Sequence, residues 1–318
     1  MEEIIMSGNV LGISRIKEIL PYRYPMLLLD RACKESDTRY VGIKNLSFND
    51  LVFQGHFPAH AIYPGVMQVE AMEQLAELAV REQLDPSGKK DVYIKYLKGV
   101  KFRKPNFPGD RMQIEAEIEK IENGEAHMKC LTRNVSGVTC EAGTMILAVR
   151  EKVITPERMP ELFTALDKSE NIAMDINKVM ELTPHRFPFL LVDYVKSVEG
   201  DSVVAVKNLT GSEPFFQGYT PDYPVLPGAV QSEIIAQAGG VYMLSRPEHK
   251  GKTPIFMSIQ EAEFFHPIIP GDQLVCEVDI PPGKSRFGRG EGVIKVDGKV
   301  MSRTVMTFAI IDPNQAAG

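Results

Sequence analysis

FQGHFPAHAIYPGVMQVEAMEQ, residues 53–74, brings a histidine loop, a helix-starting Pro-Gly and a carboxylate into twenty-two positions. His56 stands between Gly55 and Phe57-Pro58, and glycine and proline punctuation of this kind marks an irregular loop. Pro64-Gly65 opens a helix, because Val66, Val69, Met72, Leu75, Ala76, Leu78 and Ala79 recur at helical spacing up to about Glu82. Glu70 lies inside that helix. A lone helical glutamate is more often solvated than buried, so its meaning depends on the rest of the chain.

The rest of the chain contains the same stretch again. FQGYTPDYPVLPG at 216–228 matches FQGHFPAHAIYPG at 53–65, an offset of 163. The same offset aligns PYRYPMLLLD at 21–30 with PHRFPFLLVD at 184–193, identical at six of ten positions, and Lys44-Asn45-Leu46 with Lys207-Asn208-Leu209. It also aligns Glu70 with Glu233 and Gln74 with Gln237; farther on it slips to 162, pairing Phe102 with Phe264 and Pro108-Gly109-Asp110 with Pro270-Gly271-Asp272. Matched segments in one order at one spacing imply an internal duplication.

Each half then reads as a short helix, strands, an irregular loop, a long helix and three or four alternating strands, an α+β pattern. The late strands are expected over 92–104, 110–122, 125–135 and 140–150, and over 254–266, 272–280, 290–296 and 300–311. SRIKEIL at 14–20 reads as a short helix, and the apolar run in 21–30 as a buried strand. The expected units are residues 10–150, a linker at 151–171 with no counterpart in the repeat, and residues 172–313. A short helix is expected near 160–168 inside the linker.

Composition bounds the function class. A chain of 318 residues with 44% hydrophobic and 25% charged residues has the ordinary make-up of globular proteins and room for two cores. A net charge of −6 argues against nucleic acid as a general partner. Cys33, Cys130, Cys140 and Cys276 have no metal-site spacing and read as ordinary thiols. The first residues show neither the basic start nor the apolar stretch of a secretion signal, and no apolar run reaches the ~18 residues of a membrane span, so a cytoplasmic location is expected. His56 and His60 are separated by Pro58 and lack an HExxH pattern, so no metal and no cofactor are expected. KSRFGRG at 284–290 reads as a basic hairpin tip.

These motifs resemble the β-hydroxyacyl-(acyl-carrier-protein) dehydratases of the FabZ type, whose pattern LPHRYPFLLVD…FFQGHFP…PGVLQVEAMAQ…FRRPVVPGD is similar to both halves. The resemblance implies two tandem hotdog domains, each a long helix wrapped by a curved antiparallel sheet, paired within one chain as a pseudo-dimer. It implies dehydration of 3-hydroxyacyl thioesters in fatty acid or related acyl-chain synthesis, with acyl-carrier protein or coenzyme A as the carrier. It also implies further association, as a trimer of pseudo-dimers. The chain departs from the pattern in opposite places. The first half keeps His56 but has Tyr22 in the PHRYP motif and Ala59 and Ala61 in the loop, whereas the second keeps His185 but has Tyr219-Thr220 for His-Phe.

Such a dehydration needs a base for the C2 proton, a donor to the thioester oxygen and an acid for the departing hydroxyl. His56 suits the first task, the helix-starting N–H of Gly65 the second, and a buried helix glutamate the third. At about 100° and 1.5 Å per residue, Glu70 lies about 140° around and about 7.5 Å along the helix from Gly65, away from its own loop. In the resembled family the histidine of one unit works opposite the carboxylate of its partner, so the expected site is His56, Gly65 and Glu233. The degenerate counterpart is Tyr219, Gly228 and Glu70, with a phenol that is a poor base. A non-catalytic acyl-thioester binder and a hotdog thioesterase are the alternatives. Lys98, Lys101, Arg103 and Lys104, with Lys95, form a basic run where the second half has Glu261 and Glu263, and are expected to meet an acidic carrier protein or else to be a solvated strand.

Overall fold

The computed structural model describes residues 10–152, 172–249, 251–281 and 287–311. The first half runs β1 (Val10–Leu11), α1 (Ile13–Ile19), β2 (Arg31–Lys34), β3 (Arg39–Asn45), the long helix α2 (Gly65–Leu84), then β4 (Asp91–Phe102), β5 (Arg111–Glu122), β6 (Glu125–Asn134) and β7 (Gly137–Arg150). The second repeats it as α3 (Ile176–Leu182), β8 (Tyr194–Glu199), β9 (Ser202–Asn208), α4 (Gly228–Ser245), β10 (Thr253–Phe264), β11 (Gln273–Asp279), β12 (Phe287–Val296) and β13 (Lys299–Ile311). Residues 160–168, and 284–286 of the basic hairpin, lie outside the described residues.

Each half of the sheet wraps its own helix because one face of its long strands is apolar. In β5 the alternation sends Met112, Ile114, Ala116 and Ile118 inward against α2 and leaves Arg111, Gln113 and Glu117 outside. α4 comes so close to β12 that a Cβ at Gly292 would stand 2.4 Å from the Ile235 side chain. All four cysteines are buried and unpaired.

The halves join edge to edge. Strand order is β1-β2-β3-β5-β6-β7-β4-β10-β13-β12-β11-β9-β8, one antiparallel sheet in which β4 pairs with β10 through Lys101 opposite Ser258, Lys98 opposite Glu261 and Tyr96 opposite Glu263. Inside it α2 packs on α4. The result is a tandem hotdog with two long helices at its centre. No helix among the described residues is long and apolar enough to cross a membrane.

One expectation is corrected. The apolar run of 21–30 is not a strand; residues 21–30 form a looped segment ahead of β2. Its backbone finds a side chain instead of a neighbouring strand: Gln74 on α2 accepts from Leu28 N at 2.9 Å and donates to Met26 O at 2.7 Å. Gln237 on α4 ties the second copy in the same way, accepting from Leu191 N and donating to Phe189 O, both at 2.9 Å. A buried run whose amide and carbonyl are satisfied by an internal glutamine has no need of a ladder.

Candidate active site

The two repeated loops cross between the halves. Arg186 N donates to Gly55 O at 3.1 Å, and Arg23 N to Gly218 O at 2.7 Å. Only glycine fits at both crossings, since a Cβ would lie 2.1 Å from Arg186 O or 2.2 Å from Arg23 O. The first half's histidine loop is therefore seated on the second half's PHRFP segment, and the second half's tyrosine loop on the first half's PYRYP segment.

In the first crossing His56 meets residues of the other half. Its ring centre is 5.5 Å from that of His185 and 5.6 Å from that of Phe189. His185 Nε2 stands 3.6 Å from Glu233 Oε1, and its Nδ1 is bonded to the Thr183 hydroxyl. Gln237 donates to Glu233 Oε1 at 2.9 Å, so the amide that holds the PHRFP segment also orients the carboxyl group. The structure brings both His56 and Glu233 up to His185.

Protonation states follow from the surroundings. His56 Nδ1 lies 2.8 Å from Ile62 O, and a carbonyl can only accept, so Nδ1 carries the proton and Nε2 keeps a free lone pair. Burial lowers the His56 pKa to about 4, which leaves the ring neutral at pH 7. Burial raises that of Glu233 to about 7, partly offset by the Gln237 bond, so much of it holds a proton at neutral pH. A neutral imidazole and a protonated carboxyl, each next to His185, have the protonation states of a base and an acid.

Gly65 starts α2, and no side chain caps that helix, which leaves its first N–H groups without a side-chain acceptor. The Phe102 ring covers it so closely that a Cβ would stand 2.8 Å from Cδ1. Phe102 in turn lies 5.1 Å, ring to ring, from Phe256 of the second half.

The second crossing gathers the other residues. Tyr219 lies 5.0 Å from Tyr22, ring to ring, and both phenols are buried and pushed far above their usual range by desolvation and then by the carboxyl groups of α2. Glu70 takes the place that Glu233 has in the first crossing: it accepts from Gln74 at 2.9 Å, and burial raises its pKa to about 7. Gly228 starts α4 beneath the Phe264 ring. The carboxyl group is present here and the imidazole is not.

The basic run is partly spent on its own half. Lys101 and Arg103 both face Glu141, Lys104 reaches Ser136 O, and Lys98 stands opposite Glu261. Arg103 and Lys104 directly follow Phe102, the ring over Gly65.

Sequence reasoning gave His185 no role. The signal was present in the complementary losses, since the half that loses the loop histidine keeps the PHRFP histidine. The crossing of the loops collects both surviving histidines in one site and both tyrosines in the other.

Two long helices inside one antiparallel sheet, with the repeated loop of each half seated on the PHRFP or PYRYP segment of the other, define a tandem hotdog protein. The FabA-like domain model matches residues 20–140 and 183–304, and the chain belongs to that family. It is similar to 3-hydroxyacyl-[acyl-carrier-protein] dehydratase FabZ of Clostridium perfringens, 47% identical over 137 residues that are 43% of this chain and 99% of that one. The FabZ of Oceanobacillus iheyensis is 44% identical over 138 residues, 43% of this chain and 99% of the relative. Among solved structures, the dehydratase domain from the CurJ module of curacin polyketide synthase matches 95% of this chain and 100% of its own at a TM-score of 0.62 and 11% identity. A putative oleoyl thioesterase from Lactobacillus plantarum matches 86% of this chain and 97% of its own at 0.55 and 11%, and likenesses at that identity speak for the fold alone.

Proposed function

We propose that the chain removes water from 3-hydroxyacyl thioesters to give trans-2-enoyl thioesters, at a single site made of His56, Gly65 and Glu233. His56 Nε2 takes the C2 proton as the thioester oxygen gathers negative charge. The N–H at Gly65 and the helix start behind it receive that charge. Glu233 gives its proton to the departing hydroxyl, which leaves as water, and the C2=C3 double bond forms. The site ends with a protonated His56 and an ionised Glu233, each next to His185. The observation that carries this reading is a neutral His56 with a free Nε2 and a Glu233 carboxyl group held protonated by burial, both next to His185.

The test is turnover of 3-hydroxyacyl and saturated acyl thioesters by purified protein. Water loss supports a dehydratase, thiol release a thioesterase, and silence a binding protein. His56→Ala and Glu233→Gln are expected to cost on the order of 10²-fold or more in kcat, the scale of a positioned acid or base. Tyr219→Phe and Glu70→Gln are expected to cost little. If Glu70→Gln were the damaging change and Glu233→Gln the silent one, the cross-half assignment would fall.

The carrier in this reading is an acyl-carrier protein, as the names of the FabZ relatives state for those enzymes. Lys98, Lys101, Arg103 and Lys104 would steer its acidic surface to the mouth beside Phe102, with attraction that weakens as salt rises. Charge reversal at Arg103 and Lys104 should raise KM for carrier-bound substrates; an unchanged KM removes the docking role. The setting is the cytoplasm, with pseudo-dimers associating as trimers, and a single-chain mass by light scattering would contradict the assembly.

A further inference from the structure

The duplication lets the two long helices be compared residue by residue beyond each crossing. α2 is buried at every residue from Val66 to Arg81. α4 is buried over its matching length except at Ala236 and Gly240, with Met243, Leu244 and Ser245 partly open beyond them. Ala236, Gly240 and Leu244 lie within about 60° of Glu233 around the helix, at 100° per residue, so they form one stripe running from the carboxyl group.

Solvent reaches Ala236, Gly240 and Leu244 although the helix is central. A Cβ built on Gly240 would meet only Pro254 Cγ, at 3.9 Å. Two residues beyond Pro254 in β10 stands Phe256, the ring against Phe102 over Gly65. From Glu233 to Leu244 the helix rises ~16 Å, the extended length of a chain of about a dozen carbons.

At the offset of 163 the α2 counterparts of this stripe are Glu73, Glu77 and Arg81, which are 1%, 0% and 5% exposed. They place buried polar groups at the corresponding positions, most of them bonded, with Glu73 Oε2 left without a hydrogen-bond partner. Glu73 Oε1 accepts from Ile94 N of β4 at 3.0 Å. Glu77 accepts from Tyr22 OH at 2.5 Å and from Arg81 Nε at 2.6 Å, and Arg81 continues to Asp85 at 2.7 Å. A hydrocarbon tail entering here would have to strip these groups of their partners inside the protein, a heavy desolvation cost.

We infer that the chain takes one acyl tail, along the Ala236–Gly240–Leu244 stripe of α4, and that Glu73, Glu77 and Arg81 of α2 close the pseudo-symmetric channel to hydrocarbon. This rests on the dehydratase reading for the identity of the substrate but not for the number of tails bound. The second site has thus lost the room for a substrate as well as the base to act on one.

The test is calorimetric titration with S-dodecyl coenzyme A, a thioether that cannot react, alongside turnover of a four-carbon 3-hydroxyacyl thioester. The wild-type chain is expected to bind one ligand. The triple variant Glu73→Ala, Glu77→Gly, Arg81→Leu writes the α4 residues into α2 and is expected to bind two. Two ligands on the wild type, or one on a triple variant with unchanged circular dichroism and cooperative melting, overturns the inference. Gly240→Glu in the wild-type chain keeps the test open should the triple variant not fold: dodecyl binding is expected to vanish, and its persistence at the wild-type affinity also overturns the inference. A wild type that binds one dodecyl ligand without turning over the four-carbon substrate sinks the dehydratase reading and leaves the channel assignment in place.

Discussion

The acid and base at the first crossing set a pH profile. The proposed mechanism needs His56 without its second proton and Glu233 with its proton. Their pKa values of about 4 and about 7 in the free protein bracket the active form. On the acid side kcat/KM should rise through pH 4 as His56 loses its charge, and between about 5 and 6.5 it should form a plateau. Above about 7 Glu233 ionises, and each further pH unit removes about tenfold of the protonated acid, a loss of about 1.4 kcal/mol in the effective barrier per unit. At pH 9 the rate should be about a hundredth of the plateau. Glu233→Gln removes the titrating group, so its lower residual rate should lose the alkaline limb, whereas Glu70→Gln should retain it. The assay is initial velocity at substrate far below KM from pH 4.5 to 9, followed by absorbance of the enoyl thioester. A wild-type profile flat from pH 7 to 9, or an alkaline limb unchanged in Glu233→Gln, refutes the assignment of Glu233 as the acid.

Three further outcomes are expected. Gly65→Ala pushes a methyl group into Phe102 at 2.8 Å and should lower kcat at least tenfold, whereas Gly228→Ala, whose nearest ring atom is at 3.2 Å, should leave kcat within about twofold, both read by steady-state kinetics. Gln237→Ala and Gln74→Ala each free a buried backbone pair and should each cost about 1–3 kcal/mol in urea unfolding, but only Gln237→Ala, which also releases Glu233, should depress kcat. Glu70, with a folded pKa near 7 against the ordinary glutamate value of 4.5, is protonated in the fold and ionised in the unfolded chain between those values, so its burial erodes stability as pH rises from 4.5 to 7. The gain in melting temperature from Glu70→Gln should therefore be larger at pH 8 than at pH 5, and a gain that is equal at both would contradict the raised pKa.

The architecture was legible because the repeat carries its own punctuation. FQG, Pro-Gly and Pro-Gly-Asp recur at nearly one spacing, and each marks a place where backbone geometry leaves few choices. The looped segment at 21–30 was misread because hydrophobic patterning reports burial and not pairing, and the glutamine that replaces a neighbouring strand lies 46 residues from Leu28. Glu73 and Glu77 were silent for a similar reason. On a helix with one wet face such residues mark that face, but α2 has no wet face along its middle, and only the packing of both halves shows that these carboxyl groups point into protein. His56, Gly65 and Glu233 could be paired on paper through the family's cross-unit habit; the place of His185 needed the crossing of the loops.

The pairing of β4 with β10 joins halves that belong to one covalent chain, which changes how the site responds to dilution. A site assembled from two separate subunits falls apart once their concentration drops below the dissociation constant. Here the second half is present at a fixed effective concentration, in the millimolar range for tethered partners, however little protein is in the tube. Activity per chain at the first crossing should stay constant down to nanomolar enzyme, and each half is free to diverge without being copied into the other: a substitution in α2 is made once, not twice.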